Sequence, residues 1–589
     1  MKRRLSVVGH SLRLTMRADP LATWVSGLLT VVLAGIAAAT ALSQRWLLDA
    51  SGAGSTRAVL AAAALGVVAF VLNAAIGRVV NNLRNDLMDK AAQELNQEVL
   101  TVTATIPGVE HLERADYLNR LVLLRRGARS VAVSCWSILL TVANVASLAL
   151  SVWLLASIHP AMTLLAVLAV PPLLTGRKAE RLLRDFRDST GQAVRREAIL
   201  HELCLDPDTA TELRITGGGP ELGRMADASW QEVSRAENAA RRSGLLWLTA
   251  GWTCYAAGLT LALAVVLAVH SLDAGDIVLT ISIATQLRGQ ISVALDNLGS
   301  MGEVGRVTEH YLWLKDHAET RRRGTLPAPD RLGAGISMNG VSFRYPGSDT
   351  PVLRDLDLHL RPGSTVGLVG VNGAGKTTLV KLLCGLYQPD QGTITVAGRP
   401  LADLDPASWS ARCSGAFQDF VKFHLPVGEA VGIGDLPRMR DAAAVAEALD
   451  RAGATTMIST LPDGTDTRLG PLFGGVDLSH GQWQKLALAR GSMRDQPLLL
   501  VLDEPTAALD PQAEHDLFEK FAALARNGSD AITLLVSHRF STVHMADHII
   551  VLGDGELLEQ GSHAELMAAG GRYATLYTTQ ANAYHPAPP

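Results

Sequence analysis

Apolar residues run in long blocks through the first half of the chain and in short β-branched runs through the second. The blocks at 21–42 and 58–80 hold no acidic or basic residue before Arg78. Others follow at 131–158 and 161–175, parted by His159 and Pro160, then at 245–269 and 277–298, where Arg288 and Asp296 interrupt the last. A hydrocarbon core ~30 Å thick needs about 20 helical residues, so the pattern predicts six membrane spans with a tight hairpin between the third and fourth. A buried core helix would explain any single block; this many at this spacing favour spans. Lys2, Arg3 and Arg4 before the first block also suit a signal peptide. The apolar run is too long for a typical signal core, and no extracellular domain follows it, so it counts as a span.

Basic residues set the orientation. The N-terminal segment carries Arg13 and Arg17 besides the first three. The connection 78–130 carries Arg84, Lys90, Arg114, Arg120, Arg125, Arg126 and Arg129, and the connection 177–244 opens with Arg177, Lys178, Arg181, Arg184, Arg187, Arg195 and Arg196. The loops near Asp49, His159 and Asp273 are short and almost free of basic residues. Long basic loops alternating with short neutral ones place both termini in the cytoplasm. Both long loops are helix-forming in composition and carry breakers at mid-length, at Ile106-Pro107-Gly108 and at Asp206-Pro207 with Gly217-Gly218-Gly219. Each is expected to leave the membrane as a helix, turn and return, reaching roughly 30–38 Å for about 20–25 residues at 1.5 Å each.

From about Gly335, short β-branched runs alternate with helical stretches, as in a parallel α/β domain. Residues 366–379 read VGLVGVNGAGKTTL. This strand running into Gly370-Val-Asn372-Gly373-Ala374-Gly375-Lys376-Thr377-Thr378 and then a helix is the context a phosphate-binding P-loop requires. Its glycines let backbone N–H groups face phosphate oxygens at a helix N-terminus; Lys376 would reach the β- and γ-phosphates and Thr377 would bind Mg²⁺. A second apolar run, 498–502, delivers Asp503 and Glu504 at its end, as a strand buried on both faces would. Asp503 is assigned to the metal through water and Glu504 to polarising the attacking water. A third run, 532–536, ends at Ser537-His538, which places His538 beside the γ-phosphate. ATP and Mg²⁺ are the expected cofactors.

Over its 589 residues the chain is 48% hydrophobic and 19% charged, with a mean hydropathy of +0.19. That is too apolar for a purely soluble protein and too charged for one wholly in lipid, and it excludes disorder and collagen-like repeats. A net charge of −4 gives no reason to expect nucleic acid as a partner. The five cysteines are scattered with no C-x-x-C pair, so neither zinc nor a disulfide framework is signalled.

The order of these motifs resembles the ATPase domain of an ATP-binding cassette (ABC) transporter, and the whole chain is similar to a half-transporter of the exporter type. The resemblance implies a six-span α-helical membrane domain (1–310), a linker (311–334), a cytoplasmic α/β P-loop ATPase domain (335–580) and a tail (581–589). It also implies that Tyr345 stacks on adenine, that Gln418 senses Mg²⁺ and the membrane helices, and that Asp510 lies across a dimer interface. In Leu478-Ser479-His480-Gly481-Gln482 it places Ser479 and Gly481 against the γ-phosphate bound to the opposite subunit and counts Gln482 among the ATP-binding residues. His480 stands where the family normally has glycine, and is expected either to meet that phosphate or to lie inert in solvent. Each ATP of the family lies between one P-loop and the other subunit's signature, so one cassette implies a dimer, a homodimer being favoured over a heterodimer. By the same resemblance the tips near 109–117 and 208–215 would be coupling helices that dock on the cassettes.

The cargo is less legible. Asn73, Asn144 and Arg288 are polar groups inside apparent spans and are candidate cavity residues. Arg288 lies about 18 Å along a helix from Asp276, where a charge costs roughly 2.5–3.5 kcal/mol unless it meets a cavity or partner. Snorkelling toward the headgroups weighs equally. The segments 481–485, 108–114 and 210–214 resemble the branch exporting lanthipeptides and similar ribosomal peptides, with no fused peptidase expected ahead of the first span. The expected activity is ATP-driven export of an amphipathic peptide or natural product across a bacterial cytoplasmic membrane. A broad drug or lipid exporter, or an ATP-gated immunity regulator that moves nothing, stand as the alternatives.

Overall fold

A computed structural model describes residues 12–158, 167–168, 170–269, 274–321, 324–471, 474–504, 530–537 and 539–584. The chain divides into two compact units, Met1–Val102 with Leu121–Leu314, and Thr103–Arg120 with Lys315–Pro589.

The first unit is helical. Its long elements are α1 (Pro20–Gly52), α2 (Thr56–Thr105), α3 (Ala115–Ile158), α4 (Val170–Leu205), α5 (Pro207–Thr216), α6 (Gly219–Val269) and α7 (Ala274–Arg321). Five of the six apolar blocks each fall within one of these helices; of the block 161–175, residues 161–166 and 169 lie outside the described set. Asp19 caps α1 by accepting from the Ala22 N–H at 3.0 Å, with Pro20 pre-set for the first turn. α2 has 50 residues, about 75 Å at 1.5 Å each, so it runs far beyond the ~30 Å of a hydrocarbon core. Among the described residues, Thr56–Thr105 and Gly219–Ala262 are long and apolar enough to cross a membrane, by length and composition alone. Trp24, Leu28 and Phe70 point outward, each about two-thirds exposed or more, as lipid-facing side chains do.

Small residues let α4 and α6 approach closely. A Cβ added at Gly251 would stand 2.1 Å from Thr175 Oγ1 of α4, and one at Gly258 would stand 2.6 Å from Cδ2 of Leu168, which precedes α4. Polar groups tie other helices together. Tyr255 Oη donates to Ala284 O at 3.1 Å, Gln290 Nε2 to Ser147 Oγ at 2.7 Å, and Ser282 Oγ to Gln44 Oε1. The segment expected as a linker at 311–334 begins as the last turns of α7, which ends at Arg321.

The second unit is built on two sheets. The smaller has the order β2-β1-β4-β5, from β1 (Ile336–Phe343), β2 (Leu353–Leu360), β4 (Gln391–Val396) and β5 (Arg399–Pro400), all antiparallel. The larger has the order β10-β9-β3-β8-β7-β6, from β3 (Thr365–Gly370), β6 (Cys413–Ala416), β7 (Leu499–Asp503), β8 (Ile532–Val536), β9 (His548–Gly553) and β10 (Glu556–Gly561). β7 and β8 are buried at every position, as expected for strands covered on both faces. Parallel pairing sets Leu368 opposite Val536 and Val536 opposite Asp503. The three strands that carry the predicted motifs therefore end along one edge of the sheet.

Candidate active site

β3 passes through the predicted P-loop into helix α8 (Lys376–Leu383). Gly375 caps that helix with φ of +95°, and a Cβ there would lie 2.6 Å from Leu353 Cδ2, so the turn requires glycine for both conformation and space. Lys376 Nζ donates to the carbonyls of Gly370 at 2.8 Å and Val371 at 3.2 Å. Burial lowers its ammonium pKa from the ordinary value, while Glu504 and Asp503 hold it up. Asn372, Gly373 and Thr377 are exposed along the loop, whereas Ala374 and Thr378 are buried. Tyr345 Oη lies 3.0 Å from Thr378 Oγ1 and its ring meets Phe343 and Tyr387 edge-on, at 5.1 and 5.4 Å between centroids.

Asp503 closes β7 and is 3% exposed. Burial pushes its carboxyl up to about 6, Glu504 adds to the rise and Lys376 opposes it. Glu504 follows at a φ of +46°, a left-handed conformation that is uncommon for any residue but glycine. Its N–H donates to Val536 O at 2.9 Å, and its carbonyl accepts from Gln484 Nε2 at 3.2 Å. Gln418 lies just past β6 and is exposed. The exposed Thr377 hydroxyl and the Asp503 carboxylate are oxygen donors that fit Mg²⁺, and the open turn at Gly373, where a Cβ would meet nothing within 4 Å, fits a phosphate. A bound Mg²⁺ would supply charge neutralisation at the phosphates. His538 and Asp510 lie outside the described residues.

The signature segment begins helix α9 (His480–Gly491). Ser479 is its N-cap in a reciprocal capping box: Ser479 Oγ accepts from the Gln482 N–H at 3.4 Å, and Gln482 Oε1 accepts from the Ser479 N–H at 2.8 Å. The Gln482 side chain, read as ATP-binding, is thus engaged in shaping the turn that presents Ser479 and Gly481. His480 is exposed at its edge and lies 5.2 Å, ring to ring, from Phe420 in the segment after Gln418. Arg490 at the far end of α9 donates to Ala430 O at 3.0 Å and Val421 O at 3.2 Å, with its guanidinium 4.4 Å above the Phe423 ring. Burial lowers its pKa to about 10. Sequence reasoning missed Gln484, Arg490 and Phe420, because each acts through a partner far along the chain.

The tip of the first long loop belongs to this same unit. Gly108, at φ of +72°, lies so close to the chain that a Cβ would stand 2.5 Å from Leu386 O. Val109 N–H donates to Leu386 O at 3.1 Å, and Tyr387 Oη donates to Glu113. Arg321 makes a two-pronged pair with Glu110, at 2.9 and 3.2 Å; the guanidinium holds the Glu110 carboxyl below its usual range. His111, 2% exposed, packs edge-on against Tyr117 at 4.9 Å and lies 6.5 Å from His317. The second tip forms α5, where Ile215 is 80% exposed.

The candidate cavity residues are spread over three helices. Asn73 is exposed on α2, and Asn144 is half-buried on α3 with a buried Nδ2 that has no hydrogen-bond partner among the described residues. Arg288 lies on α7, but its side chain falls outside the described set.

Residues 353–507 match the family model described as ABC transporter. The chain is 41% identical over 255 residues to an ATP-dependent lipid A-core flippase of Alkalilimnicola ehrlichii, covering 43% of this chain and 42% of that protein. It is 38% identical over 233 residues to the subtilin transport ATP-binding protein SpaT of Bacillus subtilis, covering 39% and 37%. These alignments therefore span about two-fifths of the relatives' own length. The fold matches the structure of a bacterial Atm1-family ABC exporter with ATP bound, with a TM-score of 0.78 and 25% identity, over 95% of this chain and 98% of that one. Residues 353–507 thus carry the match to the ABC transporter family, and the chain has the fold of an ABC exporter, a unit of long helices followed by a two-sheet α/β unit.

Proposed function

We propose that two copies of this chain hydrolyse ATP at paired composite sites and use closure of the cassettes to export an amphipathic molecule across a bacterial cytoplasmic membrane. The observation that carries this reading is the shared sheet edge, where the loop after β3, the Asp503-Glu504 pair at the end of β7 and the end of β8 converge. In each copy Lys376 and the loop from Gly370 to Thr378 bind the phosphates and Tyr345 stacks on adenine. Thr377 and Gln418 would hold Mg²⁺, with Asp503 reaching it through water, and Glu504 polarises the attacking water with His538 at the γ-phosphate. Ser479, Gly481 and Asp510 complete the partner's site. A homodimer needs no second chain to supply these groups.

Two cargo classes fit. A peptide or natural product is supported by the motif resemblances at 108–114, 210–214 and 481–485 and by the likeness to a subtilin transport protein. A lipid is supported by the likeness to lipid A-core flippases. Asn73, Asn144 and Arg288 are proposed to line the path in either case.

Inside-out vesicles carrying the full chain test the proposal. They should accumulate a labelled amphipathic peptide, or flip a labelled lipid, only with hydrolysable ATP and only when Glu504 is intact. Robust ATPase activity with neither cargo moved would favour the regulator instead.

A further inference from the structure

The carbonyl of Glu504 is held by a side chain from the signature helix. Gln484 is 7% exposed and lies on α9, one turn beyond Gly481. Its Nε2 donates to Glu504 O at 3.2 Å, while the Glu504 N–H is taken by Val536 O at 2.9 Å. Both backbone polar groups of Glu504 are therefore clamped, one by the strand leading to His538 and one by α9. The clamp surrounds a residue at φ of +46°. A left-handed glutamate persists only where its surroundings over-determine it, and such strain concentrates at functional sites. Gln484 is itself well fixed: Trp483 beside it is 1% exposed and anchors the helix.

The Gln484 amide has a single role in this arrangement. Its Oε1 is buried and has no hydrogen-bond partner among the described residues, so the side chain is retained with half its hydrogen-bonding capacity unused. A buried amide so placed costs desolvation that an apolar residue of the same shape would avoid. What it adds is the donor aimed at Glu504.

We propose that Gln484 is a positioning residue for Glu504, setting the direction of its carboxylate by fixing its backbone and making that direction depend on how α9 is seated. The inference rests on the reading of Glu504 as the group that polarises water. It adds a link absent from that reading. Ser479 and Gly481, at the start of α9, serve the nucleotide of the opposite subunit, whereas Glu504 serves its own. Through Gln484 the helix that feels one ATP reaches the base acting on the other.

The test uses the full chain in nanodiscs with three single variants. Gln484→Met keeps length and loses the donor; Gln484→Leu also loses the donor with a different shape, and guards against a packing failure in the first. A misaimed base costs rate without costing binding, so kcat for ATP should fall about tenfold or more. KM, nucleotide affinity and the melting temperature should stay at wild-type values. Wild-type kcat in both variants overturns the proposal. So does a loss of kcat that comes only with a raised KM and a lowered melting temperature, which is the mark of a merely structural residue. The third variant, Glu504→Gln, separates the two readings. Wild-type turnover there would overturn the base assignment itself, whereas an inactive Glu504→Gln beside fully active Gln484 variants would overturn only the positioning role.

Discussion

Tyr387 Oη donates a hydrogen bond to the Glu113 carboxylate, so the aromatic cluster that contains Tyr345 ends on the tip of the first long loop. Lys381 Nζ sits 5.5 Å from the Tyr345 ring centroid and 5.7 Å from that of Tyr387, bracing the pair by cation–π attraction. Burial and the carboxylate both raise the Tyr387 phenol pKa, so it stays a donor throughout the physiological range. Tyr387→Phe removes the donor and leaves an exposed carboxylate that water can satisfy, for a loss of about 1 kcal/mol. Amide exchange at Val109, whose N–H is bonded to Leu386 O, should then quicken roughly fivefold in hydrogen-exchange mass spectrometry. An unchanged rate would show that the tip is held without Tyr387.

Gly108→Ala is expected to be more damaging. The new Cβ would meet the Leu386 carbonyl at 2.5 Å and occupy a φ of +72°, at a cost on the order of 1–3 kcal/mol. Segment 103–120 should lose protection from exchange and from limited proteolysis while nucleotide affinity is retained. Full protection in the variant would reject the close approach.

Acidification should loosen the same joint. Burial lowers the His111 pKa below its ordinary 6.5, with Arg321 and His317 adding to the fall and Glu110 opposing it; His317 is lowered chiefly by burial, then by Arg321 and Arg114, against Asp116 and Glu110. A histidine whose folded pKa is depressed binds its proton more readily when unfolded. Its stabilisation is therefore full above the ordinary pKa and declines as pH falls through and below 6.5. Exchange protection of 103–120 should drop between neutral pH and the weakly acidic range after correction for intrinsic rates. His111→Phe should flatten that dependence.

Glu504→Gln should retain ATP binding and slow hydrolysis about 10²–10⁴-fold, the usual worth of a positioned general base. Steady-state phosphate release, with a fluorescent ATP analogue as the binding control, separates the two quantities.

His480→Gly should act on the segment after Gln418, because the imidazole packs on Phe420 at 5.2 Å. Loss of an aromatic pair of this kind is worth about 0.5–1.5 kcal/mol. Faster exchange at 418–423 is the expected signature, and Phe420→Ala should reproduce it. If His480→Gly instead changes ATP affinity with exchange at 418–423 untouched, the ring contact carries no weight.

The elements that carry the candidate ATP-site motifs were legible because contiguous residues form them. The loop from Gly370 to Thr377 and the pair Asp503-Glu504 follow strands whose apolar runs mark them, and the sheet brings both to one edge. The turn points of the long loops were legible for a similar reason: Gly108 and the glycines at 217–219 break the helical pattern locally. Gln484, Tyr387 and Arg321 were not, since their partners lie 20, 274 and 211 positions away. Nothing in the local pattern around a glutamine on a helix announces the carbonyl it meets.

Sequence alone was enough to mark six apolar blocks and a glycine-rich turn between a strand and a helix, because apolar run length and glycine-dependent turns are requirements met residue by residue. Tertiary structure decided that the Gln482 side chain caps its own helix, that His480 rests on Phe420, and that the first loop tip belongs to the second unit through Glu110, Glu113 and Val109. These contacts depend on which distant donors and rings packing brings together, and a hydrogen bond closed across such a separation leaves no periodic trace along the chain.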